Sequence, residues 1–598
     1  MKSPSWLTWL FCSLLTVTVA FGLLPRWNAK GPGAVISWDV SGYYLYLPAI
    51  FIHYDLKELR FHEQLLREYG PTPDFQQAFL HPGSGHYVMK YSAGMAVQYL
   101  PFFLAAHALA APLGYPADGF SPPYQAAILL ASVLVAILGQ WLVRRALLPR
   151  FGEWPTALTL LVVVLGTNYF SYSAVAGAMT HNWLFTWYAG LLLLTPAFYD
   201  RPTMGRALAI GATVGLMTLT RPTEILAGLI PLLWGLRPAG PVLRARLAFW
   251  RQHWAQLLTA VLAGAAVLSI QPLYWHYASG DWVVYSYQEQ GFNWLRPHLW
   301  DGILGFKTGW LVYSPLLVVA LAGFWGLRRQ QPAAFWPQLV FLALFAYVTF
   351  AWDEWLYGGS LGSRAMVQSY AVLAWPLAAA HRWLLARRPR LAVYAGLAVL
   401  GCYYNLWLTY QAHHGGLLVV GQMNRAYWWR ILGRYEVPSE ERLMLDTNYN
   451  FTGTPRNYRL LWQQDFEAVD SSARGPAALL GRASLLLDAA HPRSLEYVIP
   501  ARRGQFKWVQ GSALASASQG EDGEGKMTQF VVRFCQGARV VRERTVHFQR
   551  ALAPDWPRQL RFYFKAPADD YDHITVVFLH HGPATVRFDN ARLAVFDD

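Results

Sequence analysis

The sequence predicts a polytopic α-helical membrane protein that ends in an all-β, jelly-roll-like sandwich. Three observations carry that prediction. Hydrophobic residues make up 54% of the 598 residues and charged residues 14%, where a soluble chain carries roughly a quarter charged residues. Apolar runs of about 18 residues or more, the length a bilayer crossing needs, recur through the first two thirds of the chain. From about residue 414 those runs stop, and short segments with period-two alternation begin.

The formal net charge is +14. In a soluble protein that balance would suggest nucleic acid. Here the arginines gather in short turns between apolar runs, where topology and lipid headgroups account for them, so no nucleic-acid partner is expected. The three cysteines, Cys12, Cys402 and Cys535, offer neither a disulfide framework nor metal-ligand spacing. Adjacent histidines on a strand point to opposite faces, so the pairs at 413–414 and 580–581 are assigned no metal. The first run, WLTWLFCSLLTVTVAFGLL, reads as an uncleaved anchor because no A-x-A-like site follows it.

Spans are expected at 5–24, 124–143, 155–173, 183–199, 206–220, 223–236, 254–275, 308–327, 333–352, 365–384 and 391–411, about eleven in all. The turns RRALLPR (144–150), DRPTMGR (200–206), RPAGPVLRAR (237–246), RRQQP (328–332) and RWLLARRPR (382–390) each follow an even-numbered span. The positive-inside rule places them together in the cytoplasm and turns the other connections outward. The apolar run 91–113 would reverse that order if it crossed, so it is read as a juxtamembrane or re-entrant helix at the outer surface. Two outward loops are long, 25–90 and 276–307, and a third, DEWLYGGSLGSR, covers 353–364.

After the membrane domain (1–413), residues 414–460 read as a linker and 461–598 as the sandwich. In KMTQFVVRF, Thr528, Phe530, Val532 and Phe534 share one face; in QLRFYFK the apolar set is Leu560, Phe562 and Phe564. ASASQGEDGEGK (515–526) is a flexible polar turn, and VRFDNARLAVF (586–596) resembles a closing strand pair. With an odd number of spans and an inside N-terminus, this tail lies outside.

Polar groups gather on the predicted outward face. Asp39 stands in ISWDVSGYYLYLPAI (36–50) with Tyr43, Tyr44 and Tyr46. Carboxylates near membrane depth are costly and usually have a function; the simpler reading is a loop or capping aspartate. Lys90 and Tyr91 precede the surface helix, and His181 and Asn182 close the SAVAGAMTHN turn. Arg221 and Glu224 lie in TRPTE, Lys307 ends the second long loop, and the third loop supplies Asp353, Glu354 and Arg364. Anionic headgroup chemistry needs such cations, and proton transfer needs a carboxylate. The simpler readings are a snorkelling anchor for Lys90, pairing of Arg221 with Glu224, and pairing of Arg364 with Asp353 or Glu354. Trp38, Trp282, Tyr285, Tyr287, Trp294 and Trp300 are either sugar-stacking faces or an interfacial belt. No nucleotide-binding Gly-rich loop is evident.

The early aspartate of the first loop, KYSAGMAVQYLPFFL (90–104), GLMTLTRPTEIL (215–226) and GSLGSRAMVQSYAVLAWPL (359–377) together resemble the GT-C superfamily of integral-membrane glycosyltransferases. The resemblance is to bacterial members of the protein mannosyltransferase and aminoarabinose transferase type, over roughly residues 1–411. It implies a GT-C-like fold, a sugar donor carried on a polyprenyl phosphate in the outer leaflet, and a glycan, lipid or protein acceptor. Asp39 would take the proton of the acceptor hydroxyl as it attacks the anomeric carbon from the opposite face, inverting it. Lys90, Arg221 and Arg364 would stabilise the departing phosphate, with His181 donating a hydrogen bond to it. Tyr43, Tyr44, Tyr91, Asp353, Glu354 and Trp294 would receive sugar and acceptor. No cofactor is assigned, although a divalent cation at Asp353 and Glu354 is compatible with the scheme. The tail resembles a carbohydrate-binding module, with a packing domain as the alternative. A bacterial inner membrane is the expected location. Two other readings are a transporter or flippase of lipid-linked glycans and an inactive glycan-binding scaffold. A transporter places its polar groups near the bilayer midplane; placement at span ends favours the enzyme.

Overall fold

The computed structural model describes residues 3–237, 240–467, 478–520 and 527–598. The chain divides into two compact units, Met1–His413 and His414–Asp598.

The first unit is helical. Among the described residues five helices are long and apolar enough to cross a membrane: Pro4–Asn28, Pro122–Phe151, Trp254–Ser279, Pro332–Ala351 and Arg388–Gly415. This is a multi-pass membrane protein. Shorter apolar helices occupy Gly94–Ala110, Glu153–Leu165, Met204–Thr220 and Pro222–Leu233. These lengths do not establish eleven crossings, because local backbone chemistry cuts several runs short. The expected 155–173 run is α-helical only over Glu153–Leu165, ending at Gly166, and the expected 223–236 run opens as a 3₁₀ segment, Pro222–Gly228, with only Leu229–Leu233 α-helical. The run at 91–113 forms a helix of 17 residues, Gly94–Ala110, with Pro101 inside it. That is shorter than the ~20 residues of an ordinary crossing. Its entry packs closely: a Cβ on Gly94 would collide with the backbone of Leu219 and Thr220.

The arginine-rich turns share one end of this helical unit. Helix Thr180–Asp200 ends at the 200–206 turn, and Met204–Thr220 begins there. Pro332–Ala351 starts directly after RRQQP, and Tyr370–Leu385 runs into RWLLARRPR. Contacts tie these ends together. Arg144 donates to Ser5 Oγ at 2.9 Å, and Ser5 donates to Glu153 at 2.6 Å. The Arg150 guanidinium lies 4.7 Å from the Trp375 ring centroid, and Arg246 lies 4.1 Å over Tyr199. Of the 237–246 turn, residues 238–239 lie outside the described residues.

The first long loop is structured. It holds short helices Trp38–Tyr44, Tyr46–Phe51 and His62–Tyr69, followed by an antiparallel hairpin of β1 (Ala78–Leu80) and β2 (Tyr87–Met89). Val40, Tyr43, Tyr44 and Met89 belong to one buried cluster with Tyr99 and Phe103 of helix Gly94–Ala110 and Tyr124 and Ile128 of helix Pro122–Phe151, so the loop is packed into a core it shares with these helices.

The second unit is a β-sandwich. One sheet has the order β5-β10-β7-β8, and the other β3-β11-β6-β9 with β4 paired to β11. These strands are β3 Arg456–Gln464, β4 Leu485–Leu487, β5 Tyr497–Pro500, β6 Trp508–Ala517, β7 Gln529–Gln536, β8 Arg539–His547, β9 Arg558–Lys565, β10 His573–Leu579 and β11 Val586–Asp597. Phe530, Val532 and Phe534 from β7 and Leu560, Phe562 and Phe564 from β9 meet in the core, as their alternation requires. Two details differ from the sequence reading. The ending VRFDNARLAVF is one strand rather than a pair, because Asp589–Asn590 makes a register shift instead of a turn; Asn590 has φ 42° there. The stretch 414–460 also carries structure of its own. Helices Arg425–Ile431, Ser439–Leu443 and Met444–Thr447 occupy it, Leu443 enters the sandwich core, and β3 begins at Arg456. Residues 521–526 of the polar turn lie outside the described residues.

Candidate active site

Helix Trp38–Tyr44 carries Asp39 in its first turn, where a carboxylate is favoured by the helix dipole. Two donors hold it. Tyr91 Oη donates to Asp39 Oδ1 at 2.7 Å, and Arg364 Nη2 donates to Oδ2 at 2.6 Å. The pair is largely enclosed, with the side chains 24% and 16% exposed. Arg364 therefore pairs with Asp39, not with Asp353 or Glu354. The Nε of Arg364 is buried with no hydrogen-bond partner among the described residues.

Other segments close around this pair. The Tyr43 ring stands edge-on to Tyr91 with centroids 4.6 Å apart. Tyr287, from the second long loop, meets Tyr91 at 6.3 Å and Trp352 at 5.3 Å. Arg221 ends helix Met204–Thr220; its guanidinium lies 5.4 Å from the Tyr357 ring centroid. Burial, then the Asp39 carboxylate, raise the Tyr43 hydroxyl well above the usual tyrosine range, while Arg364 and Arg221 oppose the shift. Tyr91 moves the same way for the same two leading causes. Tyr287 is pushed up to about 12 by burial, with Arg221 opposing. These phenols stay protonated and act as donors.

A second layer lies behind Arg221. Tyr188 Oη donates to Glu224 Oε2 at 2.5 Å, and Gln368 Nε2 donates to Glu224 Oε1 at 2.8 Å. His181 Nδ1 sits 2.8 Å from Gln368 Oε1 and 3.5 Å from Arg221 Nη1. The imidazole stands edge-on to Tyr172 at 5.7 Å. Glu224, His181 and Gln368 are all buried.

Asp39, Tyr43, Tyr91, His181, Arg221 and Arg364 thus come together from segments spread over more than half the chain. The remaining predicted residues stand apart. The Lys90 ammonium is 5.8 Å from the Tyr91 ring centroid, at the margin of the cluster. Tyr44 is spent on packing: it is fully buried, and its hydroxyl donates to the Gly119 carbonyl at 2.6 Å. Asp353 and Glu354 are exposed. Asp353 accepts from the Gly291 N–H at 3.0 Å and donates its own N–H to the Gly291 carbonyl at 2.9 Å, which clamps the second long loop. Trp294 stacks on Phe292 at 4.6 Å in that same loop. Lys307 is exposed. Among the described residues no group of three or more His, Cys, Asp or Glu side chains is placed to share a metal ion.

Tyr172, Tyr357 and Gln368 were not singled out in the sequence. The one available signal was Gln368, an amide inside the apolar run AMVQSYAVLAWPL.

No family model matches this chain, and no curated protein matches it. Similar solved structures include the archaeal oligosaccharyltransferase AglB from Archaeoglobus fulgidus in complex with an inhibitory peptide and a dolichol-phosphate. It is 13% identical with a TM-score of 0.36, covering 68% of this chain and 55% of that chain. The apo form of the Archaeoglobus fulgidus oligosaccharyltransferase has the same identity and coverage and a TM-score of 0.38. Arabinosyltransferase EmbB from Mycobacterium smegmatis is 13% identical with a TM-score of 0.31, covering 84% of this chain and 64% of that chain. This chain therefore spans less than two thirds of the length of each.

Proposed function

We propose that this protein is a GT-C-type membrane glycosyltransferase. It moves a sugar from a polyprenyl-phosphate donor to an extracytoplasmic acceptor with inversion, using Asp39 as base. The observation that carries the reading is the meeting of one carboxylate with two arginines and three tyrosines at a single end of the helical unit. Helices Thr180–Asp200, Met204–Thr220 and Tyr370–Leu385 each have a cationic turn at one end and His181, Arg221 or Arg364 at or beside the other. Cytoplasmic placement of those turns puts the cluster outside, in a bacterial plasma membrane.

Asp39 is engaged at rest through both oxygens, Oδ1 by Tyr91 and Oδ2 by Arg364. A donor phosphate entering beside Arg364 and Arg221 gives the guanidinium a second anion. Loosening the Arg364–Asp39 bond then frees Oδ2 to accept the proton of the acceptor hydroxyl as it arrives. The two arginines balance the charge that develops on the leaving phosphate. Tyr43, Tyr91 and Tyr287 supply hydroxyls and ring faces to sugar and acceptor. Lys90 adds charge at the rim.

The test is transfer of labelled sugar from polyprenyl-phosphate donors in membranes, wild type beside Asp39→Asn. The substitution is expected to lower transfer by about 10²–10⁴-fold, the span of general-base effects. Equal transfer by both removes Asp39 from the mechanism.

A further inference from the structure

The order of donors behind Arg221 decides where His181 carries its proton. As a carboxylate, Glu224 only accepts hydrogen bonds. The Gln368 amide nitrogen must therefore face it, and does so at 2.8 Å. Tyr188 supplies the other oxygen with a donor. With its nitrogen committed, Gln368 can offer only Oε1 to the imidazole. A carbonyl oxygen 2.8 Å from Nδ1 requires a proton on Nδ1.

One contact competes. Arg221 Nη1 stands 3.5 Å from the same Nδ1 and would need that nitrogen bare. At 3.5 Å it is beyond the usual 2.7–3.2 Å range for N–H donors, whereas the Gln368 contact is inside it. The shorter contact sets the tautomer.

We propose that Glu224 and Gln368 are positioning residues. Through them His181 is locked with its proton on Nδ1, leaving Nε2 as a bare acceptor. Nε2 has no hydrogen-bond partner among the described residues. A neutral imidazole in this tautomer cannot donate to a phosphate oxygen, so His181 is not the phosphate ligand expected from the sequence. Its match is a hydroxyl, on the donor sugar or on the acceptor. This second step rests on the glycosyltransferase reading; the tautomer does not.

Two measurements separate them. The full chain, labelled with ¹⁵N-histidine and reconstituted in lipid, is read by solid-state NMR, with His181→Asn assigning the signal by its loss. The expected result is a proton on Nδ1 in the wild type. In Glu224→Gln and in Gln368→Met, which deletes both amide bonds but keeps the carboxylate, that preference is lost. A proton on Nε2 in the wild type, or a tautomer that neither variant moves, overturns the proposal. The second measurement is binding. His181→Asn keeps a donor at the Nδ1 position and deletes Nε2. It is expected to weaken a sugar-bearing polyprenyl phosphate about tenfold, while polyprenyl phosphate alone binds within about twofold of wild type. Equal weakening of both lipids overturns the hydroxyl assignment. A wild-type chain that binds neither lipid sinks the glycosyltransferase reading while the NMR result stands.

Discussion

Asp39 and Arg364 are 325 positions apart in the chain, yet each supplies the other's closest charged contact. Removing one partner of an enclosed pair leaves a charge without compensation, which costs more than the pair itself contributes. Arg364→Ala alone is therefore expected to lower the melting temperature in detergent more than Arg364→Ala combined with Asp39→Ala. The coupling is expected at about 1–3 kcal/mol, and strictly additive single effects would contradict the pairing. Tyr91→Phe tests the other oxygen of Asp39. It deletes one hydroxyl and keeps the ring that packs on Tyr43 and Tyr287, so it is expected to reduce transfer without changing the melting temperature by more than a degree or two. The charged members of this cluster were legible in the sequence because a carboxylate or guanidinium beside an apolar run is conspicuous. Their partners were not. Nothing in the order of residues says that Arg364 turns to Asp39 and not to the nearer Asp353, because that choice is made by packing.

At the scale of elements, two devices aim these side chains. Gly362 lies two residues before Arg364 with φ 67°. A Cβ there would come within 2.8 Å of Tyr313 Cβ and 2.9 Å of Asn168 Nδ2. Gly362→Ala is expected to cost about 1–3 kcal/mol, as a left-handed non-glycine residue does, and to reduce transfer through the displaced Arg364. Unchanged melting and activity would show that this turn does not aim the arginine. The second device is the Asp353–Gly291 clamp, reinforced by the bridge between Phe292 and Trp352. Asp353→Ala is expected to speed proteolytic cleavage within 285–295 and to weaken the site through Tyr287, with the helices intact by circular dichroism. The sequence marked Asp353 as a ligand candidate because it stood in an outward loop; a backbone clamp has no residue-type signature that separates it from a binding carboxylate. The sandwich strands were the easiest elements to read, since alternation in KMTQFVVRF and QLRFYFK translates directly into a buried face. The single strand Val586–Asp597 was harder. Asp-Asn carries a turn signal, and only pairing with β6 on one side and β3 on the other reveals that it interrupts the register without reversing the chain. The short helices at 425–447 were missed because amphipathic segments of 4–7 residues lie below the length at which periodicity can be recognised.

At the scale of the whole molecule, function depends on sidedness. Every step assigned to Asp39 assumes that the end bearing the arginine-rich turns faces the cytoplasm and the opposite end faces out. Helix directions alone cannot distinguish that arrangement from its inverse, because turning the helical unit over preserves every internal contact. The charge bias breaks the symmetry. Two exposed positions report on it: Gln64, in the first long loop, and Gly205, in the 200–206 turn. With Cys12, Cys402 and Cys535 replaced, Gln64→Cys in intact cells is expected to react with a membrane-impermeant maleimide. Gly205→Cys is expected to react only after permeabilisation. A Cβ at Gly205 meets nothing within 4 Å, so lack of labelling there in intact cells would reflect sidedness and not crowding. The reverse pattern would bring Asp39, Arg221 and Arg364 to the cytoplasmic face, where an outer-leaflet donor cannot reach them, and the glycosyltransferase scheme would fail at its first step.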